Sequence, residues 1–381
     1  TIWVRGGTYG SGGDFSFDSR LEGAPDHWIT VRAFPGERVK IDGGIDVKSP
    51  WSTFWGLEIM NSNPDRVSSQ TGSHPDDIYR GDGFTVSAAH TRLINNLIHD
   101  TRQGVGFWSQ APDSEMYGNI IYNNGWWAPD RGHGHGIYMQ NEEGAKLLEG
   151  NIIFSNFSGY NIHAFSTDGY LNNLSIDGNI LINGDLLVGS VTQPARQIRV
   201  AGNQIFNGQA TMGYKAQGNL DLVFEENLIY YDEGQSLEIK WWHDVQISAN
   251  RVWNDQTGTV SFLYPNNWGA YQLNYNTYFA PSSSAFWVNS DRKTWEQWRS
   301  ATGFDRNSSF TTQPPEGVEV SVQPNRYEPK RGVITIYNWD SQESVIVDIS
   351  ALGLKPGDPY TLYNAQNFYK DPLTGVYTGD P

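Results

Sequence analysis

The chain has 381 residues, with 42 acidic and 26 basic side chains for a net charge of −16, no cysteine and 15 tryptophans. The absence of cysteine excludes disulfide scaffolds, thiolate metal sites and cysteine nucleophiles. The acidic excess disfavours nucleic acids as partners, because it repels phosphate backbones, and no apolar run reaches the roughly 18 residues of a membrane span.

The first predicted elements are short segments of strand-forming residues around glycines, at residues 3–9, 29–37 and 41–44. From residue 96 a repeat follows, in which an asparagine precedes two or three mostly apolar residues. The asparagines of this repeat are Asn96, Asn119, Asn151, Asn179, Asn203, Asn227, Asn250 and Asn276. A period near 24 residues, with β-rich bursts and no helix-period stretch, predicts coils stacked into a parallel β-helix. Each asparagine is expected to hydrogen-bond the backbone of the coil below.

The opening segments and the asparagine repeat resemble the right-handed parallel β-helix proteins of the pectate-lyase-like superfamily, many of them secreted bacterial proteins. The resemblance covers residues 1–312 and implies an all-β fold, a right-handed parallel β-helix solenoid. It also implies a secreted or cell-surface protein that acts on polysaccharide. The group includes pectate lyases, polygalacturonases and alginate-acting enzymes, so the resemblance alone leaves the reaction open.

The strand before each asparagine segment has an apolar middle residue, which is predicted to face the core. The outward neighbours form a predicted row of Thr85, Trp108, Tyr138, His163, Leu187, Lys215, Lys240 and Leu263. Equivalent residues of stacked coils lie about 4.8 Å apart, which matches the scale of an extended sugar chain. The aromatic, histidine and lysine side chains of this row predict a functional groove.

The sharpest local motif is Asp-Arg-Gly-His-Gly-His-Gly-Ile-Tyr at residues 130–138. His133 and His135 are two residues apart on a predicted strand, so we expect them to point to the same side. With His163 on the next coil they can form a three-nitrogen zinc or copper site. The sequence favours the alternative, in which the histidines bond loop backbone or act as acid or base, so no metal is assigned. Calcium stays open as a cofactor because the lyases that this chain resembles often bind it.

β-Elimination at a uronic acid needs a cation that neutralises the carboxylate, a base and an acid. Lys215 and Lys240 are the predicted cations. Either His163 or His135 is the predicted base, and Tyr138 is the predicted acid. This set makes a polysaccharide lyase the leading functional prediction.

Glycoside hydrolysis needs instead two carboxyl groups about 5 to 9 Å apart. The candidate carboxyls near the groove are Asp82, Glu142, Glu143, Asp168, Asp185 and Glu238. Glu238 lies beside Lys240 and can be a nucleophile or an ion-pair partner. A glycoside hydrolase of this fold is therefore the first alternative. A non-catalytic glycan-binding or structural β-helix is the second.

Substrate-binding candidates are cations, amides and flat rings that can contact or stack on sugars. They are Arg102, Trp108, His133, Asn161 and Trp241. The expected partner is a polysaccharide, without nucleic acid or membrane, and the expected state is a monomer.

The end of the chain departs from the repeat. A short helix is predicted over residues 293–300, where it closes the solenoid and covers exposed coil edges. Alternating segments at residues 332–339, 344–348 and 360–363 predict a small C-terminal antiparallel β-sandwich module over residues 318–381.

Overall fold

The computed structural model describes residues 1–12, 15–256, 258–265 and 268–379. The chain divides into two compact units, Thr1–Thr312 and Gln313–Pro381. The first unit is a β-solenoid of about 11 turns, built from three sheets that are parallel except for the last strand of the third, Asp291–Lys293. The predicted all-β, parallel β-helix class is confirmed. None of the helices in the described ranges combines the length and apolar character that a membrane span requires.

The three sheets, named A, B and C, are met in that order along each coil. Sheet A contains Ile2–Val4, Ile29–Ala33, Ser52–Trp55, Thr91–Ile94, Ser114–Tyr117, Lys146–Glu149, Asn172–Asp177, Arg196–Ala201, Leu220–Glu225, Val245–Ser248 and Tyr271–Asn274. Sheet B contains Gly7–Gly10, Val39–Asp42, Glu58–Met60, Leu97–His99, Ile120–Tyr122, Ile152–Phe154, Ile180–Ile182, Gln204–Phe206, Leu228–Tyr231, Arg251–Asn254, Thr277–Phe279 and Ser309–Thr311. Sheet C contains Ser16–Ser19, Gly44–Val47, Phe84–Val86, Val105–Phe107, Ile137–Met139, Tyr160–Ser166, Asp185–Ser190, Ala210–Met212, Gln235–Lys240, Gly258–Leu263, Phe286–Val288 and Asp291–Lys293.

The core fills the space that the three sheets enclose. Strand residues alternate between its two sides, so one apolar side chain per short strand points inward. Ile98, Ile121 and Ile153 of sheet B, for example, are fully buried and lie in register on successive coils. Continuous stacks of this kind bury the apolar surface that one coil alone leaves exposed.

The eight repeat asparagines form a buried column at the turn between sheets A and B, which we call the asparagine ladder. The backbone N–H of Asn151 donates to Oδ1 of Asn179 at 3.0 Å, and that of Asn179 donates to Oδ1 of Asn203 at 2.9 Å. Nδ2 of Asn179 donates to the Leu148 carbonyl of the preceding coil at 2.9 Å. The predicted side-chain-to-backbone role is confirmed. The residue before the asparagine takes a left-handed conformation, as at Gly118 with φ of 64°, which suits glycine.

The predicted helix, α1, covers Trp295–Thr302, before the last strand of sheet B, Ser309–Thr311. Thr294 caps its first turn, and its side chain accepts a hydrogen bond from the Gln297 N–H at 3.2 Å. Trp298 is fully buried and stacks on Phe262 and Phe286, with ring centroids 5.5 Å apart in both pairs. The helix therefore covers the core of the last coils.

The second unit contains two antiparallel pairs of strands, Val318–Pro324 with Gly332–Asn338 and Pro359–Leu362 with Leu373–Val376. Short 3-10 turns cover Ser350–Leu352 and Ala365–Asn367. The predicted strand at residues 344–348 is irregular, because no neighbouring strand pairs with it, and Ile346 is 80% exposed.

Candidate functional site

The strand register of sheet C decides which side chains share an outward row. Tyr138 pairs with His163, and His163 with Leu187. Leu187 pairs with Thr211, and Thr211 with Glu238. The row that runs through Tyr138 and His163 therefore continues to Glu238 rather than to a lysine.

Four residues of the predicted row lie elsewhere. Lys240 is two residues beyond Glu238 and pairs with Leu263, so both lie on a neighbouring outward row. Trp108 follows the strand Val105–Phe107, and Lys215 follows the strand Ala210–Met212. Counting back from the asparagines mixed two rows because the turns between the sheets differ in length from coil to coil.

Aromatic side chains and two histidines gather around Tyr138 and His163. We call this group the histidine cluster; it consists of Trp108, His135, Tyr138, Tyr160, His163 and Phe165. All six side chains are partly exposed on sheet C or on the turns beside it. Ring centroids of neighbouring members lie 4.4–5.9 Å apart, as the contacts between Trp108 and Tyr138 and between His135 and His163 illustrate. The cluster thus presents ring faces and ring nitrogens to solvent together.

A β-bulge in the strand Tyr160–Ser166 makes the cluster possible. Pairing with the next strand shifts between Tyr160 and Ile162, and both Asn161 and Ile162 point into the core. Tyr160 and His163 consequently reach the same face, although they are three residues apart, and their rings stack at 4.5 Å. Phe165 stacks on the other side of His163 at 4.8 Å.

A chain of hydrogen bonds links the two histidines to a serine. Nδ1 of His163 lies 3.3 Å from Nε2 of His135, and Nδ1 of His135 lies 2.7 Å from Oγ of Ser158. In one assignment of the protons, Ser158 accepts from His135 and His135 accepts from His163. Nε2 of His163 has no hydrogen-bond partner among the described residues, so this assignment leaves it with a free lone pair at the groove.

The environment keeps both histidines neutral. Burial, with a smaller contribution from the charge of Arg131, lowers the pKa of His163 to about 3. Burial also holds the pKa of His135 well below its usual value, with contributions from His163 and Arg131. Burial raises the pKa of Tyr138 and of Tyr160, so both phenols keep their protons at neutral pH. The cluster thus combines neutral ring nitrogens with protonated hydroxyls.

His133 is separated from the other histidines. It lies in a short strand, Gly132–His133, that pairs with Trp126–Trp127, and the left-handed Gly134 ends this strand before His135. Its ring is buried, stacks on Trp126 at 5.1 Å and contacts Asp130 at 3.2 Å. The three-nitrogen site is therefore not formed, and the described parts of the chain hold no group of three or more His, Asp or Glu side chains able to bind a metal ion.

Asn161 lies in the interior rather than at the groove. Its side chain is fully buried, and its Nδ2 donates to the carbonyls of Ile182 and Gly184 at 3.1 and 3.3 Å. Its Oδ1 accepts from Asn156 at 3.0 Å. The amide is thus engaged within the turns between sheets B and C.

The other predicted residues flank the cluster. Arg102 donates to Asp82 at 3.0 Å, and this contact raises the pKa of the guanidinium. Lys240 forms an ion pair with Glu238 at 2.5 Å. Trp241 stacks on the exposed Tyr264 at 4.1 Å. These groups extend the polar and aromatic surface in both directions along sheet C.

Lys215 is exposed, and its ammonium lies 5.3 Å from the ring of Tyr214. Tyr214 contacts Phe165 of the histidine cluster edge-on at 5.4 Å. Lys215 therefore stands near the cluster without touching either histidine.

Sequence reasoning missed Tyr160, Ser158, Phe165 and the electrostatic role of Arg131. The bulge that turns Tyr160 outward left no recognisable signal in the sequence. Arg131 was detectable in principle, since it belongs to the motif that contains both His133 and His135.

Comparisons with known proteins identify the fold. A family model described as a right handed beta helix region matches residues 130–269. No curated protein matches the sequence. Among solved structures, the Dettilon tailspike protein is similar with a TM-score of 0.48 and 9% identity, over 88% of this chain and 69% of that one.

Two further solved structures have the same kind of similarity. One is a mannuronic acid specific polysaccharide family 6 lyase from human gut microbiota, with a TM-score of 0.46 and 13% identity over 82% of this chain and 86% of that one. The other is the A-module of the mannuronan C-5 epimerase AlgE4 of Azotobacter vinelandii. It has a TM-score of 0.43 and 12% identity, over 82% of this chain and 87% of that one. The coils, the sheet order and the family match together make this chain a right-handed parallel β-helix protein.

Proposed function

We propose that the protein is a polysaccharide lyase that cleaves a uronic-acid polymer by β-elimination in the groove of sheet C. The observation that carries this proposal is the hydrogen-bonded pair of His135 and His163, held neutral between the phenols of Tyr138 and Tyr160. A neutral imidazole beside a protonated phenol supplies a base and an acid within one sugar ring of each other.

In the proposed reaction, Nε2 of His163 removes the proton at C5 of the uronate. The electron pair forms the C4–C5 double bond as the C4–O bond breaks, and the hydroxyl of Tyr138 donates its proton to the leaving oxygen. His135 and Ser158 orient the imidazole through Nδ1 and share the charge that it gains. Tyr160 packs against the ring and limits its rotation.

Arg131 is the proposed partner of the substrate carboxylate, since it is the cation whose charge acts on both histidines. A carboxylate bound there offsets the charge that lowers the pKa of His163. Burial, the larger cause, remains, so the bound carboxylate reverses only the part of the lowering that Arg131 contributes.

Lys215 and Lys240 are proposed to contact carboxylates of neighbouring sugars rather than the reacting one. Lys240 belongs to a strand three positions from that of His163, about 14 Å away at the spacing of parallel strands. Trp108 and Trp241 offer ring faces for stacking on either side of the centre. A secreted or cell-surface location and a monomeric state belong to the same proposal.

Hydrolysis by a carboxyl pair is the second candidate, because burial raises the pKa of Asp185 as a general acid requires. Strand register separates Asp185 from Glu238 by two strands and two residues, about 12 Å between Cα atoms. The side chains can bring the two carboxyl groups nearer to the roughly 5 to 9.5 Å of glycosidase pairs, but Glu238 is already held in an ion pair with Lys240. Elimination is therefore the better supported reaction.

The test incubates the protein with polymannuronate, polyguluronate, polygalacturonate and neutral glucans, with and without calcium. Ultraviolet absorbance of the unsaturated product and the release of reducing ends are followed together. We expect both signals on one polyuronate, and a loss of about 10² to 10⁴-fold in His163→Gln. His243→Gln, which changes an exposed histidine outside the cluster, serves as the matched control.

Release of reducing ends without ultraviolet absorbance would contradict elimination and support hydrolysis. Asp185 and Glu238 would then be the residues to substitute. Binding of a polyuronate without either signal would support the non-catalytic alternative. Loss of activity on chelation, restored by calcium, would show that a metal takes part in neutralising the carboxylate.

A further inference from the structure

Sheet A carries a cavity on a different face of the solenoid from the groove of sheet C. Its volume is about 640 Å³, within the range of about 300 to 1,000 Å³ typical of small-ligand sites. It runs between two columns of side chains, one on the turns that enter sheet A and one on the strands themselves. The proposed lyase reaction uses none of its residues.

One end of the cavity is aromatic. Trp28 and Trp51 meet edge to face with ring centroids 5.2 Å apart, and Trp51 stacks on His90 at 3.8 Å. Arg92 covers one face of Trp28 at 3.8 Å. The neighbouring rings hold Trp51 in place beside the cavity that it lines.

Trp51 stands at a backbone position that does not favour it. Its φ of 61° lies in the left-handed region, which a bulky residue rarely adopts. At the same turn of later coils the left-handed residues are His90, Asp113, Asn173, Gln197 and Asp221, all smaller than tryptophan. This conformation costs the turn free energy that the contacts of the Trp51 ring must offset.

The other end of the cavity is rich in hydrogen-bond acceptors. Oδ1 of Asp113 accepts from the Ala145 N–H at 3.0 Å, and Nδ2 of Asn173 donates to the Gly144 carbonyl at 2.9 Å. Oδ2 of Asp113 and Oδ1 of Asn173 have no partner within the described ranges. These acceptors suit the hydroxyl groups of a ligand that packs against the two tryptophans.

The charges of the cavity exclude an anionic ligand. Asp26, Asp113 and Glu115 line it, and the guanidinium of Arg92 already lies 3.6 Å from Glu115. The amine of Lys146 is turned inward, onto the carbonyls of Phe107, Trp108 and Gln140. A uronate chain would meet repulsion here, whereas a neutral ring with hydroxyl groups would not.

We propose that this cavity binds a neutral pyranose unit of a polysaccharide, with the sugar packed against the aromatic wall that Trp28 and Trp51 form and its hydroxyls donating to Asp113 and Asn173. The site is separate from the groove of sheet C. It is proposed to prefer a neutral sugar, whereas the groove is proposed to bind a uronate. Because its readout is binding, the proposal stands or falls independently of lyase activity.

The test is calorimetric titration of the full chain with cellohexaose, mannohexaose, xylohexaose and hexamannuronate. We expect at least one neutral hexasaccharide to bind, and Trp51→Gly to weaken it tenfold or more. Glycine removes the ring but suits the left-handed turn, so the fold is retained. Asp113→Asn keeps the shape of the side chain and is expected to weaken binding severalfold.

Trp3→Ala is the matched control, since Trp3 is an exposed ring of sheet A outside the cavity. The Trp3→Ala variant should bind the neutral hexasaccharide with the affinity of the wild type. Absence of binding by all three neutral hexasaccharides would overturn the proposal. Binding that Trp51→Gly leaves unchanged would overturn it too, as would tighter binding of hexamannuronate that depends on Trp51.

Discussion

The asparagine ladder and the histidine cluster both use the distance between one coil and the next, but they use it differently. In the ladder one residue type recurs, and successive backbone N–H to Oδ1 distances are 2.9–3.0 Å from Asn96 to Asn276. In the cluster, Tyr138, His163 and Leu187 follow one another in register, and a bulge interrupts the pairing. The strictly repeated asparagines stabilise the solenoid. The bulge, which breaks the repeat locally, brings different side chains together in the cluster.

The largest expected effect comes from breaking the cluster without touching the ladder. Tyr138→Phe removes the proposed acid and keeps the ring that packs against Trp108 and His163. We expect the rate of polyuronate cleavage to fall about 10² to 10⁴-fold, with an unchanged unfolding midpoint. Initial rates and thermal unfolding measure the two quantities. Tyr275→Phe, at a 64% exposed tyrosine, should change neither.

The converse experiment breaks the ladder and leaves the cluster intact. Asn179→Leu removes the acceptor of the Asn151 N–H and the donor to the Leu148 carbonyl, both inside the solenoid. Buried groups that lose their partners cost about 1 to 3 kcal/mol each, so we expect about 3 kcal/mol less stability in urea unfolding. Activity per folded molecule should persist. Asn183→Gly, an exposed asparagine on the same coil, should stay within about 0.5 kcal/mol of the wild type.

The pH dependence of stability should also differ between the two regions, because the cluster contains titratable histidines and the ladder does not. His163 has a folded pKa of about 3 against an unfolded value near 6.5, so the unfolded state binds more protons between these values. Its contribution to stability is complete above pH 6.5 and is lost as the pH falls toward 3, by at most about 1.4 kcal/mol per pH unit. Urea midpoints measured across this window should show a shallower slope in His163→Gln. An equal slope in both proteins would contradict the neutral, buried state of this histidine.

The smallest expected effect concerns Lys215, which tests how far the reacting centre extends. The side chain is exposed, and single exposed ion contacts contribute about 0.2 to 1 kcal/mol. Lys215→Ala should therefore raise the KM about two- to fivefold, less so in high salt, and leave kcat unchanged. A fall of 10²-fold in kcat would instead place Lys215 at the reacting carboxylate, as the sequence analysis predicted.

The fold could be predicted because its determinants are local and repeated. A spacing near 24 residues, the recurring Asn179 and Asn203 and the left-handed position before them are visible in the chain itself. The closing helix was equally visible, since Thr294 and Gln297 form a capping box. Each coil makes the same turn between sheets A and B, so the residues that suit this turn recur in the sequence.

The site was predictable only in part, because its geometry depends on exceptions to the repeat. Tyr138 and His163 were chosen correctly as outward neighbours, since strand alternation alone decides their direction. Tyr160 was missed because a bulge reverses that alternation, and His133 was grouped with His135 although Gly134 ends its strand. Turn lengths set the register between coils, and a one-residue change moves a side chain to the opposite face.

Because the ladder repeats the same contacts in every coil, the groove can be lengthened by inserting a whole coil. Residues 203–226 form one whole coil of 24 residues, from one ladder asparagine to the residue before the next. A duplicate of this segment would accept from the Asn179 N–H on one side and donate to Oδ1 of Asn227 on the other, with the same atoms as Asn203. The insertion would move Glu238 and Lys240 about 4.8 Å further from His163 while the local geometry of each stayed the same. The length of oligosaccharide that the protein prefers would then report the spacing directly.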